Sequence, residues 1–257
     1  MPAVTLDLWH TLIYLPPDDE EAYMEHQVTM GREVLFESAV ADGGRKLPRA
    51  ALGRAFARAY TEAVAASAKG RTITPAEQLT RAAAETHRVA EPARYLEKLK
   101  EEVQRTPFRR APGGLRLLGR LRRWGYRVAV ISNTVGEPGA FLRPILTSMG
   151  FDRFVEAYVF SDEHPWTKPS PEIFRFALDQ LGEEPSDSIH VGDGWADVEG
   201  ARRAGYRATV LFTGLHAYGA RYRKLFLPGG PKEPDSDYRT ARLEDVGPLV
   251  RKILPFE

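Results

Sequence analysis

The chain has 257 residues, enough for one large domain or a core with a smaller partner, and its 36 lysines and arginines against 35 acids leave no global field that would attract nucleic acid or anionic lipid. It contains no cysteine, which excludes disulfides, thiolate catalysis and thiolate metal sites. No stretch approaches the roughly 20 apolar residues of a membrane span, and the N-terminus lacks a charged segment followed by a long apolar run, so the expectation is a cytoplasmic protein with no nucleic-acid or membrane partner.

The first element is an apolar strand over residues 4–9 that delivers one carboxylate, Asp7, toward its end. Leu15-Pro16-Pro17-Asp18-Asp19 then breaks regular structure, because two prolines remove backbone donors and the acids cap the next helix. From residue 20 to about 105 the pattern is helical: Leu52, Ala55, Phe56, Ala59, Tyr60, Ala63 and Val64 recur at steps of three and four and make one apolar face. Thr74-Pro75-Ala76-Glu77 combines a capping hydroxyl, a proline at the first helical position and a glutamate able to reach back, so it starts another helix. A further helix holds Leu96, Leu99 and Val103, and no strand is expected between residues 18 and 105. This segment reads as an all-helical unit, 16–105, inserted into a core made of 1–15 and 106–257.

From residue 107 short apolar strands alternate with helices, the pattern of βαβ units and a parallel sheet. Strands are expected at 127–132, 157–161, 188–191 and 208–212. Gly125, Gly150 and Gly205 each come after a helical run and precede an aromatic, as left-handed helix ends do. Leu227-Pro228-Gly229-Gly230-Pro231 reads as loop, with an edge strand expected near 238–243 and a closing helix at 246–253. The basic run Arg221, Arg223 and Lys224 reads as a solvated face, as do Arg32, Arg45 and Lys46.

Four stretches carry chemistry. Asp7 is a candidate nucleophile, since a carboxylate is charged at neutral pH and attacks without a base, although strands also end in Asp simply to start a turn. Ser132 ends a strongly apolar strand and precedes Asn133, so its hydroxyl either donates to a ligand oxygen or caps a helix. Lys168 lies between Thr167 and Pro169, just before the helix start Ser170-Pro171-Glu172, in a short anchored loop. Gly192-Asp193-Gly194 is either a plain turn or, with Asp197 four residues on, an acidic pair facing one helix end. Asp7, Ser132 and Asp193 all fall at or near C-terminal strand ends, the edge where open α/β sheets bind ligands. His10, His164 and His190 lack a spaced partner for a triad or a histidine metal site, and His190 reads as a strand residue.

With these four stretches in this order, residues 4 to about 212 resemble the haloacid dehalogenase superfamily of hydrolases. The resemblance implies a doubly wound, Rossmann-like parallel α/β core with a helical cap inserted after the first strand. It further implies a magnesium-dependent phosphatase acting through an aspartyl-phosphate, with Asp7 attacking, Ser132 holding a phosphoryl oxygen and Lys168 neutralising charge. Asp7, the Trp9 backbone carbonyl, Asp193 and Asp197 would hold Mg2+, and Trp9, His10, Thr11 and Asn133 would line the substrate. One residue departs from the pattern: family phosphatases usually carry a second Asp two residues after the nucleophile, where this chain has Trp9. An indole neither protonates a leaving alkoxide nor takes a proton from water. The family's dehalogenases have an aromatic at that step, so a 2-haloacid dehalogenase is the second reading, opposed by the intact acidic pair. A catalytically weakened ligand-binding or regulatory protein is the third.

Overall fold

Short apolar runs buried on both faces dictate the centre of the molecule. In the computed structural model, which describes residues 1–41, 43–216 and 234–255, β1 (Ala3–Leu6), β4 (Arg127–Ser132), β5 (Ala157–Phe160), β6 (Ser188–Gly192), β7 (Ala208–Phe212) and β8 (Tyr238–Thr240) form one sheet. Its order is β5-β4-β1-β6-β7-β8 and every pairing is parallel, so the fold is a doubly wound α/β sheet. The four residues of β1 and the five of β6 and of β7 are buried throughout, as strands covered on both faces require. The register places Leu6 between Val130 and Val191, and the Asp7 amide adds one more bond to the Val191 carbonyl at 2.8 Å.

Between β1 and β4 the chain forms α1 (Pro17–Glu37), α2 (Arg49–Ser67), α3 (Pro75–Glu85) and α4 (Pro92–Arg105), then α5 (Gly114–Arg123). The helix start at Thr74 is built as the capping residues require, with Thr74 and Glu77 exchanging side-chain and backbone bonds. Leu52, Ala55 and Phe56 of α2, Leu79 of α3 and Tyr95, Leu99 and Val103 of α4 belong to the same buried cluster as Leu6, Leu8 and Leu12, so the helices share their apolar face with the sheet edge. After β4 come α6 (Gly139–Ser148), α7 (Pro171–Leu181), α8 (Trp195–Ala204) and the closing α9 (Leu243–Ile253). Gly125, Gly150 and Gly205 take positive φ of 86°, 80° and 93° at their helix ends.

Two expectations need correction. The first strand does not run to residue 9 but ends at Leu6, because the chain turns at once: the Leu12 and Ile13 amides both bond the Leu8 carbonyl, and His10 sits at φ 55°. That turn leads to β2 (Ile13–Tyr14), which pairs antiparallel with β3 (Arg109–Arg110), a two-stranded flap with no periodicity long enough to read. The strand expected at 157–161 likewise stops at Phe160, since Ser161–Glu163 forms a 3-10 turn. The edge strand and closing helix occupy 238–240 and 243–253. The basic run at Arg221, Arg223 and Lys224 and the loop at 227–231 lie outside the described residues. No helix among the described residues is long and apolar enough to cross a membrane.

Candidate active site

Asp7 leaves β1 at the C-terminal edge of the sheet and is only 5% exposed. Lys168, 3% exposed, extends from the loop before α7 and places its Nζ on Asp7 Oδ1 and, at 2.6 Å, on Asp197 Oδ1. The Thr11 hydroxyl donates to Asp7 Oδ2 at 3.1 Å. Asp197 stands in the first turn of α8 and accepts from the Gly194 amide at 3.0 Å, which satisfies one of the helix's free donors. It packs so tightly on β6 that a Cβ on Gly192 would lie 2.3 Å from its carboxyl carbon, so that glycine is needed for the close approach. Asp7, Asp193 and Asp197 each offer an oxygen within 4.8 Å of the others.

The charges explain the protonation of the cluster. Burial raises the Asp7 pKa to about 7, with Asp197 and Asp193 adding to the rise and Lys168 opposing it. Burial also penalises the Asp197 carboxylate, but Lys168 and His190 outweigh it and hold its pKa well below the ordinary range. For Lys168 burial is again the largest influence, and the two carboxylates overcome it and push its pKa up. Three carboxylates against one ammonium leave an excess of negative charge, and all the donors are hard oxygens. A divalent cation of the magnesium type fits that deficit and that donor set.

Ser132 ends β4, fully buried, and among the described residues its Oγ has no hydrogen-bond partner. It is not a helix cap, since the next helix starts only at Gly139 behind Pro138. Asn133 clamps the lysine loop: its Nδ2 donates to the Lys168 carbonyl at 2.9 Å and its Oδ1 accepts from the Lys168 amide at 2.8 Å. Trp9 is half-buried in the turn after Asp7 and meets Phe108 edge-on at 5.3 Å. His10 is turned by its positive φ so that Nε2 lies 3.0 Å from the Glu20 carboxylate of α1 and Nδ1 lies 4.0 Å from Asp193. The structure therefore gathers Asp7, Thr11, Lys168, Asp193 and Asp197 in direct contact or near it, with Trp9 and His10 in the adjoining turn and Ser132 and Asn133 at the next strand end. Arg45 and Lys46 are exposed, and Arg32 pairs with Glu33.

Several neighbours escape sequence reasoning. His190 is more than a strand residue: its Nε2 lies 3.3 Å from Asp197 Oδ1 and its Nδ1 2.8 Å from the Thr5 hydroxyl. Burial lowers its pKa, so the ring is neutral and its Nε2 donates to Asp197. The helices before β4 reach the same edge through polar side chains. Gln27 of α1 donates to Glu137 at 2.8 Å, Ser67 of α2 accepts from Asn133 at 3.1 Å, and Gln78 of α3 donates to the Val135 carbonyl at 2.6 Å. None of these pairs has a sequence signal, because each joins residues remote in the chain and of types common on surfaces. Only the Thr5–His190 register offered a hint, through two polar residues in buried strands.

The family model described as haloacid dehalogenase-like hydrolase matches residues 1–205. The chain is 32% identical over 139 residues to a protein of Cupriavidus necator named phosphoglycolate phosphatase, plasmid; the match covers 54% of each, so the chain spans about half the length of that relative. Among solved structures, it resembles the HAD phosphatase of Thermococcus onnurineus with a TM-score of 0.62 and 20% identity, covering 100% of this chain and 99% of that one. A dehalogenase structure is similar with a TM-score of 0.55 and 20% identity, covering 97% and 96%. At those identities the structural likeness speaks for the fold.

Proposed function

The chain belongs to the haloacid dehalogenase-like hydrolase family, and from that premise we propose that it is a magnesium-dependent phosphatase that moves the phosphoryl group of a small phosphomonoester to Asp7 and from there to water. The observation that carries this reading is the constellation of buried Asp7, Lys168 and Asp197 with partly buried Asp193 at the sheet edge. Asp7 is the nucleophile: one carboxylate oxygen forms the bond to phosphorus while the Thr11 hydroxyl holds the other. Lys168 opposes the rise that burial imposes on the Asp7 pKa and faces the charge that gathers on the phosphoryl oxygens. The buried Ser132 hydroxyl donates to one of those oxygens, and Asn133 fixes the lysine loop. Asp7, the Trp9 carbonyl, Asp193 and Asp197 would hold Mg2+, which when bound supplies further neutralisation of the transferring group. His190 orients Asp197 by its hydrogen bond.

In this reading residues 16–105 act as a cap over a core of 1–15 and 106–257, the substrate sits between them, and the protein works in the cytoplasm. The phosphatase name of the Cupriavidus relative supports the reaction class. Trp9 is the one observation favouring a 2-haloacid dehalogenase, in which Asp7 would displace halide from carbon; the three clustered carboxylates oppose it, since that chemistry needs no cation. A panel of phosphate esters assayed with magnesium and with chelator tests the proposal. Turnover should require the metal, and Asp7→Asn should lower it by at least about a thousandfold. Halide release from 2-haloacids in chelator, with no ester turned over, would transfer the assignment to the dehalogenase.

A further inference from the structure

The surroundings of Trp9 bear on which phosphate esters such a site would accept. Asp7 is flanked by Lys168 and Thr11, and the acids Asp193 and Asp197 stand toward β6 and α8. Trp9 lies on the side toward α1 and begins a row of rings: its indole meets Phe108 at 5.3 Å and 72°, and Phe108 meets Tyr23 of α1 at 5.9 Å and 81°. Phe108 and Tyr23 are buried behind it, 8% and 7% exposed, whereas Trp9 keeps part of its surface open. A ring supported edge-on in this way is a fixed apolar platform. It is also chemically inert to proton transfer, because indole N–H is a donor that does not dissociate in the working pH range. The imidazole beside it is held between the Glu20 carboxylate of α1 and Asp193.

We propose that the substrate is an aryl phosphate, whose ring packs on Trp9 and whose oxygen departs as a phenolate without a proton from Trp9. This inference rests on the phosphatase reading and names its substrate class. In the first step an Asp7 oxygen bonds to phosphorus as the bond from phosphorus to the aryl oxygen breaks, and the electron pair leaves with the phenolate. Water then attacks the phosphorus of the aspartyl-phosphate, restoring the Asp7 carboxylate and releasing inorganic phosphate and one proton, which balances the phenolate's uptake of a proton from solvent. A phenol, with a pKa of about 10, leaves readily in this way, while an alkoxide is far more basic and depends on the acid that the indole cannot replace.

The test is kcat/KM for substituted phenyl phosphates and for alkyl phosphates of similar size, using the full chain with magnesium. In the wild type, aryl esters should exceed alkyl esters by about a hundredfold or more, with rates climbing steeply as the phenol becomes more acidic. Trp9→Asp should narrow that gap mainly by speeding the alkyl esters. Trp9→Leu should raise KM for phenyl phosphate by roughly three- to tenfold, more than it changes kcat, and Trp9→Phe should restore KM. Turnover with a flat series, or a KM unmoved in Trp9→Leu, would overturn the aryl assignment alone. No turnover of any ester would overturn the phosphatase reading and this inference with it.

Discussion

Ser132 is fully buried, yet among the described residues its hydroxyl bonds to nothing. A buried donor left alone costs free energy, so the residue makes physical sense as one that acquires its acceptor only when an anion arrives. Ser132→Ala should therefore leave the substrate-free protein as stable as before, or more stable by up to about 1 kcal/mol. Inhibition by inorganic phosphate should weaken roughly ten- to a hundredfold, the worth of a hydrogen bond to a charged group. A fall in melting temperature with an unchanged phosphate Ki would make the hydroxyl structural instead. The position of Ser132 at a strand end was legible because an apolar run precedes it within Arg127–Ser132. Its isolation was not, since neighbouring atoms come from elsewhere in the chain. The same holds for His190, whose bond to Asp197 joins a strand to the helix seven residues on and has no pattern to announce it.

At the scale of elements, the contact between α1 and the loop after β4 carries a pH dependence of its own. Glu137 leaves that loop to bury itself against Gln27 and Tyr23 of α1, with Tyr95 of α4 and Glu20 of α1 also within electrostatic range. Burial raises its pKa from 4.5 to about 7, against the opposing bond from Gln27 and the influence of the nearby Tyr23 hydroxyl. The folded protein thus keeps this proton through a window in which the unfolded chain has released it. The stability it lends is whole below about pH 4.5, declines as pH rises, and is gone above about pH 7, a difference of roughly 3 kcal/mol. Asp7 shifts in the same direction, so only a comparison isolates Glu137. Glu137→Gln should match the wild type near pH 5 and exceed it near pH 8 by about that amount in urea unfolding. Parallel pH profiles for the two proteins would show that the carboxyl is not held neutral. Here the sequence was uneven. The capping box at Thr74 and the apolar face of α2 announced their helices, because those signals are local. The β2–β3 flap and the early end of β1 depend on a turn whose bonds run from Leu8 and His10 to Leu12 and Ile13, and no periodicity records them.

For the molecule as a whole, the parallel sheet converts four distant stretches into neighbours. Because β4, β1 and β6 are adjacent and point the same way, the residues just beyond each strand arrive at one edge, and the order β5-β4-β1-β6-β7-β8 puts β1 in the middle. That much was legible from short apolar runs ending in Asp7, Ser132 and Asp193. The aromatic row from Trp9 to Tyr23 and the polar contacts of α1, α2 and α3 with the loop after β4 depend on how the helices settle over that edge, which local sequence does not encode. The central claim is that Asp7 carries the phosphoryl group during turnover. Its most direct test is to mix the full chain with magnesium and excess phenyl phosphate, quench in acid within one turnover, and identify by mass spectrometry which peptide carries a phosphoryl adduct. The expected result is an adduct on Asp7 that disappears in Asp7→Asn; turnover with phosphate released and no adduct on Asp7 at any quench time would contradict it.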